Sequence, residues 1–484
     1  MAAIAVAVYF GVLNKDKGNV SMNPTTSGET TTNNQSAINP SKMHSNLIEY
    51  KTDQGMDVVT YVSNKVPLVT LVLTVKAGAM TETPETNGLT HLWEHMFFKG
   101  NKRLPTQEDF KKRIRQLGIS YNGDTSAEKV RYYFTMPSAF FEEGMQFMAD
   151  AIATPLLNQE ELDKEINVVL NEYERFASRP QFDMRNVIRH HIYGDLEHKR
   201  DPLGLRKTIK STTREILFQI KDEVMVPANS ALIIAGDVEE SKVKEYVDKY
   251  FAEWKNPKDW KAPVKAKFQP FPETLSIITT AKHLPTPSVS IQFNGPLVSD
   301  DPKATFAADI FAGLIDHSNS KFTKKFIDSG IAFSASGGYY TQNGAGEMSL
   351  YASAKPENIL KVRDMLLAEI EEWKNPDYFP EAHLEDVRRQ LKISHLKSVN
   401  SPSSYAKTLG FWWAVTGLDY YRNYIPQLLD VTRDDVVDFV KTWMVDKPYV
   451  SAVALSPENA KEAGIEPNSK ELEDKYLIEY RKDD

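Results

Sequence analysis

His91, Glu94 and His95, within the run Thr90–Gly100 (THLWEHMFFKG), are residues whose types and spacing can do chemistry. At about 100° per residue on a helix, Leu89, Trp93, Met96 and Phe97 share one side, and His91, Glu94 and His95 share the other. Imidazoles at i and i+4 stand one above the other, which suits two ligands of a single metal ion. A carboxylate beside them is placed to take a proton from a water. A pair of lone core histidines would need no such acid between them. The implied chemistry is hydrolysis, and it requires a further ligand and a groove for substrate.

The order H-x-x-E-H inverts the zinc-protease motif H-E-x-x-H. A source for the third ligand lies in the helix expected over 158–175, where Glu165 and Glu172 are seven residues apart and so on nearly one azimuth. Leu162, Ile166, Val169 and Tyr173 form the adjoining apolar stripe. Taken alone, two acids beside such a stripe are solvated flank residues. A helix that needs one more protein ligand, leaving a fourth tetrahedral position open, changes that reading.

HLWEH followed by 76 residues and then Glu172 resembles the pitrilysin (inverzincin) zinc metallopeptidases. The resemblance implies one Zn2+ per chain, with His91, His95 and Glu172 as ligands, Glu94 as general base and Glu165 as an accessory catalytic acid. Tyr121–Thr125 through Tyr132–Thr135 is similar to the family's strand beside the zinc. Asn122, Gly123, Asp124 and Thr125 are therefore the expected substrate-binding positions. His191–Gly204 (HIYGDLEHKRDPLG) resembles a looser family signature, and the likeness runs from about Leu47 to the end.

Around these residues, Met56–Val62 and Leu68–Val75 read as strands joined by a hairpin or meander turn at 63–67. The metal helix is expected to end at Lys99-Gly100. A helix over Phe110–Leu117 closed by Gly118, strands at Ile119–Asn122 and Lys129–Met136, and a helix at Ser138–Ala153 follow. Asn229–Gly236 reads as a buried strand and Ser241–Trp254 as a helix. Then the order repeats. Val289–Phe293 corresponds to Val69–Val75, Thr305–Leu314 to the metal helix, and Phe322–Gly330 to Phe110–Gly118. Gly346–Ala354 corresponds to Val130–Met136, and Glu357–Trp373 and Glu381–Val399 to the last two helices. Setting Pro402 on Pro180 places Leu384 on Leu162, Val387 on Glu165 and Ser394 on Glu172, so the second copy keeps the stripe and lacks the acids.

The expected fold is α+β: two homologous domains, each a mixed, mainly antiparallel sheet with helices packed on it, together one half of a clamshell. The divisions are 1–46 (apolar leader and disordered linker), 47–256 (zinc-bearing domain), 257–272 (Pro/Lys-rich linker) and 273–484 (domain without metal). Active family members place an Arg and a Tyr seven residues apart in the second copy. Here those positions hold Phe326 and Phe333, which donate no hydrogen bonds. The resemblance therefore implies a heterodimer, with a homologous chain supplying Arg and Tyr to cleave unfolded peptide. A non-catalytic scaffold or a peptide-binding clamp of the same fold is the alternative.

A formal charge of −8 argues against nucleic acid as partner, and zero cysteines exclude disulfides and thiolate metal sites. Met1–Leu13 is apolar but shorter than the roughly 20 residues of a full span. It reads as part of an export signal or membrane anchor, pointing to a bacterial periplasm or the outer side of the inner membrane. His190, His191 and His198 read as surface or capping residues rather than a second metal site. Phe411-Trp412-Trp413 with Tyr420-Tyr421 reads as core packing rather than a partner surface.

Overall fold

The computed structural model of the chain describes residues 46–263 and 268–481. The leader and, apart from Asn46, the Ser/Thr/Asn/Pro segment after it lie outside the described residues.

Two sheets organise the chain. The first half runs β1 (Leu47–Lys51), β2 (Asp57–Val62), β3 (Leu68–Val75), α1 (Leu89–Phe97), α2 (Gln107–Gln116), β4 (Ser120–Thr125), β5 (Val130–Pro137) and α3 (Phe141–Ala153). It continues with α4 (Gln159–Ala177), α5 (Phe182–Tyr193), α6 (Arg206–Ser211), α7 (Arg214–Val224), β6 (Ser230–Gly236) and α8 (Glu240–Tyr250). In space the strands lie in the order β1-β2-β6-β3-β5-β4. The expected hairpin between β2 and β3 is therefore absent. β6 lies between them, parallel to β2 and antiparallel to β3. All seven residues of β6 are buried, so it needs partners on both edges and cover on both faces. Gly236 permits the insertion, since a Cβ there would sit 2.1 Å from the Leu68 carbonyl oxygen.

The second half runs β7 (Leu275–Thr280), β8 (Ser288–Asn294), α9 (Pro302–Ile315), α10 (Lys321–Thr323), β9 (Ser334–Tyr340), β10 (Glu347–Ser353) and α11 (Ile359–Glu372). After these come α12 (Glu381–Asn400), α13 (Pro402–Val415), α14 (Leu418–Asp430), α15 (Arg433–Trp443) and β11 (Val450–Leu455). The order β7-β11-β8-β10-β9, with β11 parallel to β7 and antiparallel to β8, repeats β2-β6-β3-β5-β4 strand for strand. The repeat read from the sequence is thus a repeat of topology. One correspondence is loose. In place of the ten-residue α2, the second copy has the three-residue α10 followed by a π turn at Lys324–Asp328. Phe322 and Phe326 both stay buried there.

The helices after Pro180 and Pro402 are exchanged between the sheets. Tyr405, Ala406, Leu409 and Trp413 of α13 share a core with Val59, Val72, Ile233 and Ala235 of the first sheet. Val187, Ile188 and Ile192 of α5 share one with Ile277, Val450 and Ala452 of the second. The aromatic run is part of this packing, and Trp413 Nε1 donates to Asp57 Oδ2 at 3.0 Å. Fully burying each large apolar side chain contributes roughly 1.5–3 kcal/mol. The exchange therefore ties both halves into one body around the site.

Candidate metal centre

All nine residues of α1 are buried, so its polar side faces other elements rather than water. Trp93 Nε1 donates to the Leu217 carbonyl at 3.1 Å, and Phe97 stacks on Tyr132 with ring centroids 3.9 Å apart. The helix starts at Gly88 (φ 95°), which offers no capping side chain. Glu82 supplies the cap from the preceding loop. One of its oxygens accepts Thr90 N–H (2.8 Å) and the Thr90 hydroxyl (2.7 Å). The other accepts Gly88 N–H and the Asn87 amide, both at 2.9 Å. A carboxylate is favoured at this end of a helix by the unpaired N–H groups and the dipole.

The helix ends at Phe97 with Phe98 as cap, earlier than the Lys99-Gly100 boundary read from the sequence. Phe98 N–H and Lys99 N–H reach back only three residues, to His95 and Met96, and this tightening ends the α-helix. Gly100 turns the chain beyond it, at φ +146°.

On the polar side, His91 Nε2 and His95 Nε2 lie 3.2 Å apart, and Glu172 Oε2 lies 3.6 Å from His95 Nε2. The three ligand atoms fall within 4.8 Å of one another. His95 Nδ1 donates to Glu165 Oε1 at 2.8 Å, because a carboxylate can only accept. With its proton on Nδ1, a neutral His95 turns a bare Nε2 lone pair towards the Glu172 oxygen. Such converging lone pairs repel unless a cation lies between them. Two nitrogens bound tetrahedrally to one zinc ion at about 2.0–2.1 Å stand about 3.3 Å apart, close to the separation seen here. The donor set, two imidazoles and a carboxylate, fits zinc.

Glu94 lies against β4. The Thr125 hydroxyl donates to Glu94 Oε2 at 2.8 Å, and a Cβ on Gly123 would stand only 2.5 Å from Glu94 Oε1. Burial pushes the Glu94 carboxyl up to about 7, with His95 and the Thr125 hydroxyl pulling it back. Burial and the neighbouring His95 hold His91 well below the usual histidine range, which keeps the ring neutral as a ligand requires. For His95, burial acts downward. The Glu165 hydrogen bond and the carboxylates of Glu94, Glu165 and Glu172 outweigh it and raise the group. Burial raises Glu172 against the pull of His95 and Arg175.

The structure thus brings His91, His95 and Glu172 together, with Glu94 beside them and Glu165 behind the His95 ring. Asn122–Thr125 divide between two faces of β4, which is the edge strand of its sheet. Gly123 and Thr125 face Glu94. Asn122 and Asp124 face away, and Asp124 holds a fork of Arg131 hydrogen bonds at 2.8–3.1 Å. His190, His191 and His198 do not converge. His190 Nδ1 meets the Asn186 carbonyl, His191 Nε2 the Glu273 carbonyl and His198 Nε2 Glu128. Phe326 is buried against Phe322, whereas Phe333 is 59% exposed.

Residues 58–201 match the insulinase family, peptidase family M16, and residues 211–391 match the peptidase M16 inactive domain. The chain belongs to the M16 peptidase family. The first match contains every residue of the metal centre, and the second contains none of them. Among curated relatives, an uncharacterised zinc protease of Rickettsia felis is 24% identical over 82% of this chain and 94% of its own length. The β subunit of the mitochondrial-processing peptidase of Neurospora crassa is 26% identical over 81% and 84%. Among solved structures, a protease from Helicobacter pylori superposes with TM-score 0.78 at 20% identity, over 85% of this chain and 99% of that one. The periplasmic protease PqqL from Escherichia coli does so with TM-score 0.73 at 16% identity, over 89% and 50%. Among the described residues no helix is long and apolar enough to cross a membrane.

Several residues of this M16 site escaped the sequence reading. Lys99 is ion-paired with the second oxygen of Glu165, and Arg175 Nη2 donates to Glu172 Oε1 at 2.6 Å. Arg175 lies three residues after Glu172 on α4, so helical spacing could have found it, whereas Lys99 lies past the end of α1 and meets Glu165 across two elements. Glu82 carries no such signal, because a carboxylate in an irregular loop declares its cap only in three dimensions.

Proposed function

We propose that this M16 chain is a zinc-dependent endopeptidase for unfolded peptides. His91, His95 and Glu172 hold one Zn2+, and Glu94 handles the proton. The observation that carries the reading is the convergence of three ligand atoms within 4.8 Å, beside a carboxylate fixed by Thr125. When bound, zinc polarises a peptide carbonyl and lowers the pKa of a water at its open position to about 7. Glu94 takes the water's proton and passes it to the leaving amine. Thr125 holds one Glu94 oxygen, which leaves the other for that transfer. Glu165 acts as a positioning residue: its hydrogen bond to His95 Nδ1 fixes the tautomer whose Nε2 faces the ligand set. The free edge of β4 receives the peptide as an added strand, with affinity drawn from backbone hydrogen bonds at Asn122–Thr125.

Phe326 and Phe333 leave the positions of the family's Arg and Tyr without hydrogen-bond donors, so we assign those groups to a homologous partner chain. The named β subunits among the relatives support such a division. The domains of this chain, on the same reading, are 47–256 and 273–484, one half-shell of the pair. A periplasmic or outer-surface location accords with the leader and with the periplasmic protease PqqL among the structural relatives.

The Phe326/Phe333 pair also favours a second reading, a zinc-retaining peptide clamp without turnover. The test is cleavage of an unfolded reporter peptide by the zinc-loaded chain, alone and with a homologous Arg/Tyr-bearing chain. Cleavage that rises at least tenfold on mixing is expected. Full activity alone would overturn the split site, and no cleavage by a zinc-loaded mixture would leave the clamp.

A further inference from the structure

The face of β4 turned away from Glu94 carries a cation that forms no ion pair among the described residues. Asn122 lies opposite Tyr133, and Asp124 opposite Arg131, in the β4–β5 register. This face is closed by α13, where Arg131 Nη1 donates to the Lys407 carbonyl at 2.8 Å. The Lys407 ammonium lies 4.1 Å from the centroid of the Tyr133 ring, beside Asn122. Three cations, Lys129, Arg131 and Lys407, share this neighbourhood. Asp124 is ion-paired with Arg131. Glu128 is engaged by His198 and by the backbone N–H groups of Asn343 and Gly344. Lys129 is buried, with Nζ on the Ser126 hydroxyl at 3.1 Å. No carboxylate among the described residues forms an ion pair with Lys407.

Burial and the Arg131 charge lower the Lys407 pKa and outweigh the opposing pull of Asp124. A half-buried ammonium beside a second cation is costly to keep, and a chain with a formal charge of −8 does not acquire it from a generally basic surface. Strand geometry gives it a use. A peptide added to the β4 edge points alternate side chains to opposite faces. One set meets the Glu94 side. The other set, including the side chain paired with Asn122, meets Tyr133 and Lys407.

We propose that Lys407 is a specificity-determining residue that selects an acidic side chain, Asp or Glu, at the peptide position beside Asn122. The proposal rests on β4 being the substrate strand, and it names the substrate class as acidic peptide. The Tyr133 ring holds the ammonium in place from one side and leaves its remaining hydrogens for a carboxylate.

The test uses the full-length zinc-loaded Glu94→Gln chain, with its partner where assembly requires one, so that peptide binds without turnover. Fluorescence anisotropy is measured with peptides that differ only by Glu, Gln or Lys at successive positions. Glu is expected to bind about tenfold tighter than Lys at one position, with weaker effects on the alternate register. Lys407→Arg should keep the preference, Lys407→Gln should abolish it and Lys407→Glu should reverse it. Equal binding of the three peptides at every position, or a preference that survives Lys407→Glu, would overturn the proposal. Peptide binding by this variant needs no catalysis. If the wild-type chain cleaves nothing, the endopeptidase reading fails, and the charge preference can still be read.

Discussion

Gly123→Ala is the smallest change that reaches Glu94, the proposed proton-handling group. The added methyl would stand 2.5 Å from Glu94 Oε1 and 2.9 Å from both Cδ and Cγ, well inside contact distance. Gly123 does not have the left-handed backbone that would strain an alanine, and Gly→Ala at a compatible site stabilises by roughly 0.4–1 kcal/mol through the unfolded state. The clash therefore falls on the Glu94 carboxylate. The carboxylate must swing away and lose the 2.8 Å hydrogen bond from Thr125. Displacing a reacting group by about 1 Å costs on the order of 10²-fold in rate, or about 2.7 kcal/mol of barrier. The assay pairs kcat/KM on an unfolded reporter peptide with zinc stoichiometry of the same preparation. The expected result is turnover reduced about a hundredfold with zinc retained. Near-wild-type turnover would refute the placement of Glu94, and loss of zinc would show that β4 supports the metal rather than the base.

Glu165→Gln keeps the shape but weakens the hold on His95 Nδ1, so zinc affinity should fall about 10–100-fold in a chelator competition titration. Unchanged affinity would remove Glu165 from its positioning role. Glu82→Ala would strand the donors of Gly88, Thr90 and Asn87 at the start of α1, and the chain should lose roughly 3 kcal/mol in denaturant unfolding. Glu128 is buried, which acts to raise its pKa, but His198 and the N–H groups of Asn343 and Gly344 hold it below the ordinary value of 4.5. Its contribution is therefore present above that ordinary value and lost as pH falls through the depressed one. Wild type should exceed Glu128→Gln in melting temperature at pH 7, with the gap closing in acid. A gap that persists well below pH 4 would contradict the linkage.

Elements whose pattern is local were legible in the sequence. α1 and α4 show their apolar and polar sides by helical spacing, and the second copy is visible because its strand and helix order repeats, as the matching sheet topology shows. The β2–β3 connection was misread because nothing near residues 63–67 reveals that a strand 160 residues later takes the place between them. The end of α1 was misread because Gly100, though it turns the chain, does so three residues beyond the last helical one. At the site, residues that meet through one helix face could be named from the sequence. Glu82 and Lys407 could not, because a loop and a helix from the other half bring them into place.

The most direct measurement is zinc content and peptide cleavage on one preparation each of wild type and Glu94→Gln, assayed with the same partner chain. If His91, His95 and Glu172 hold the metal while Glu94 moves the proton, both proteins carry one zinc and only wild type cleaves. Cleavage by zinc-loaded Glu94→Gln at near the wild-type rate would contradict this.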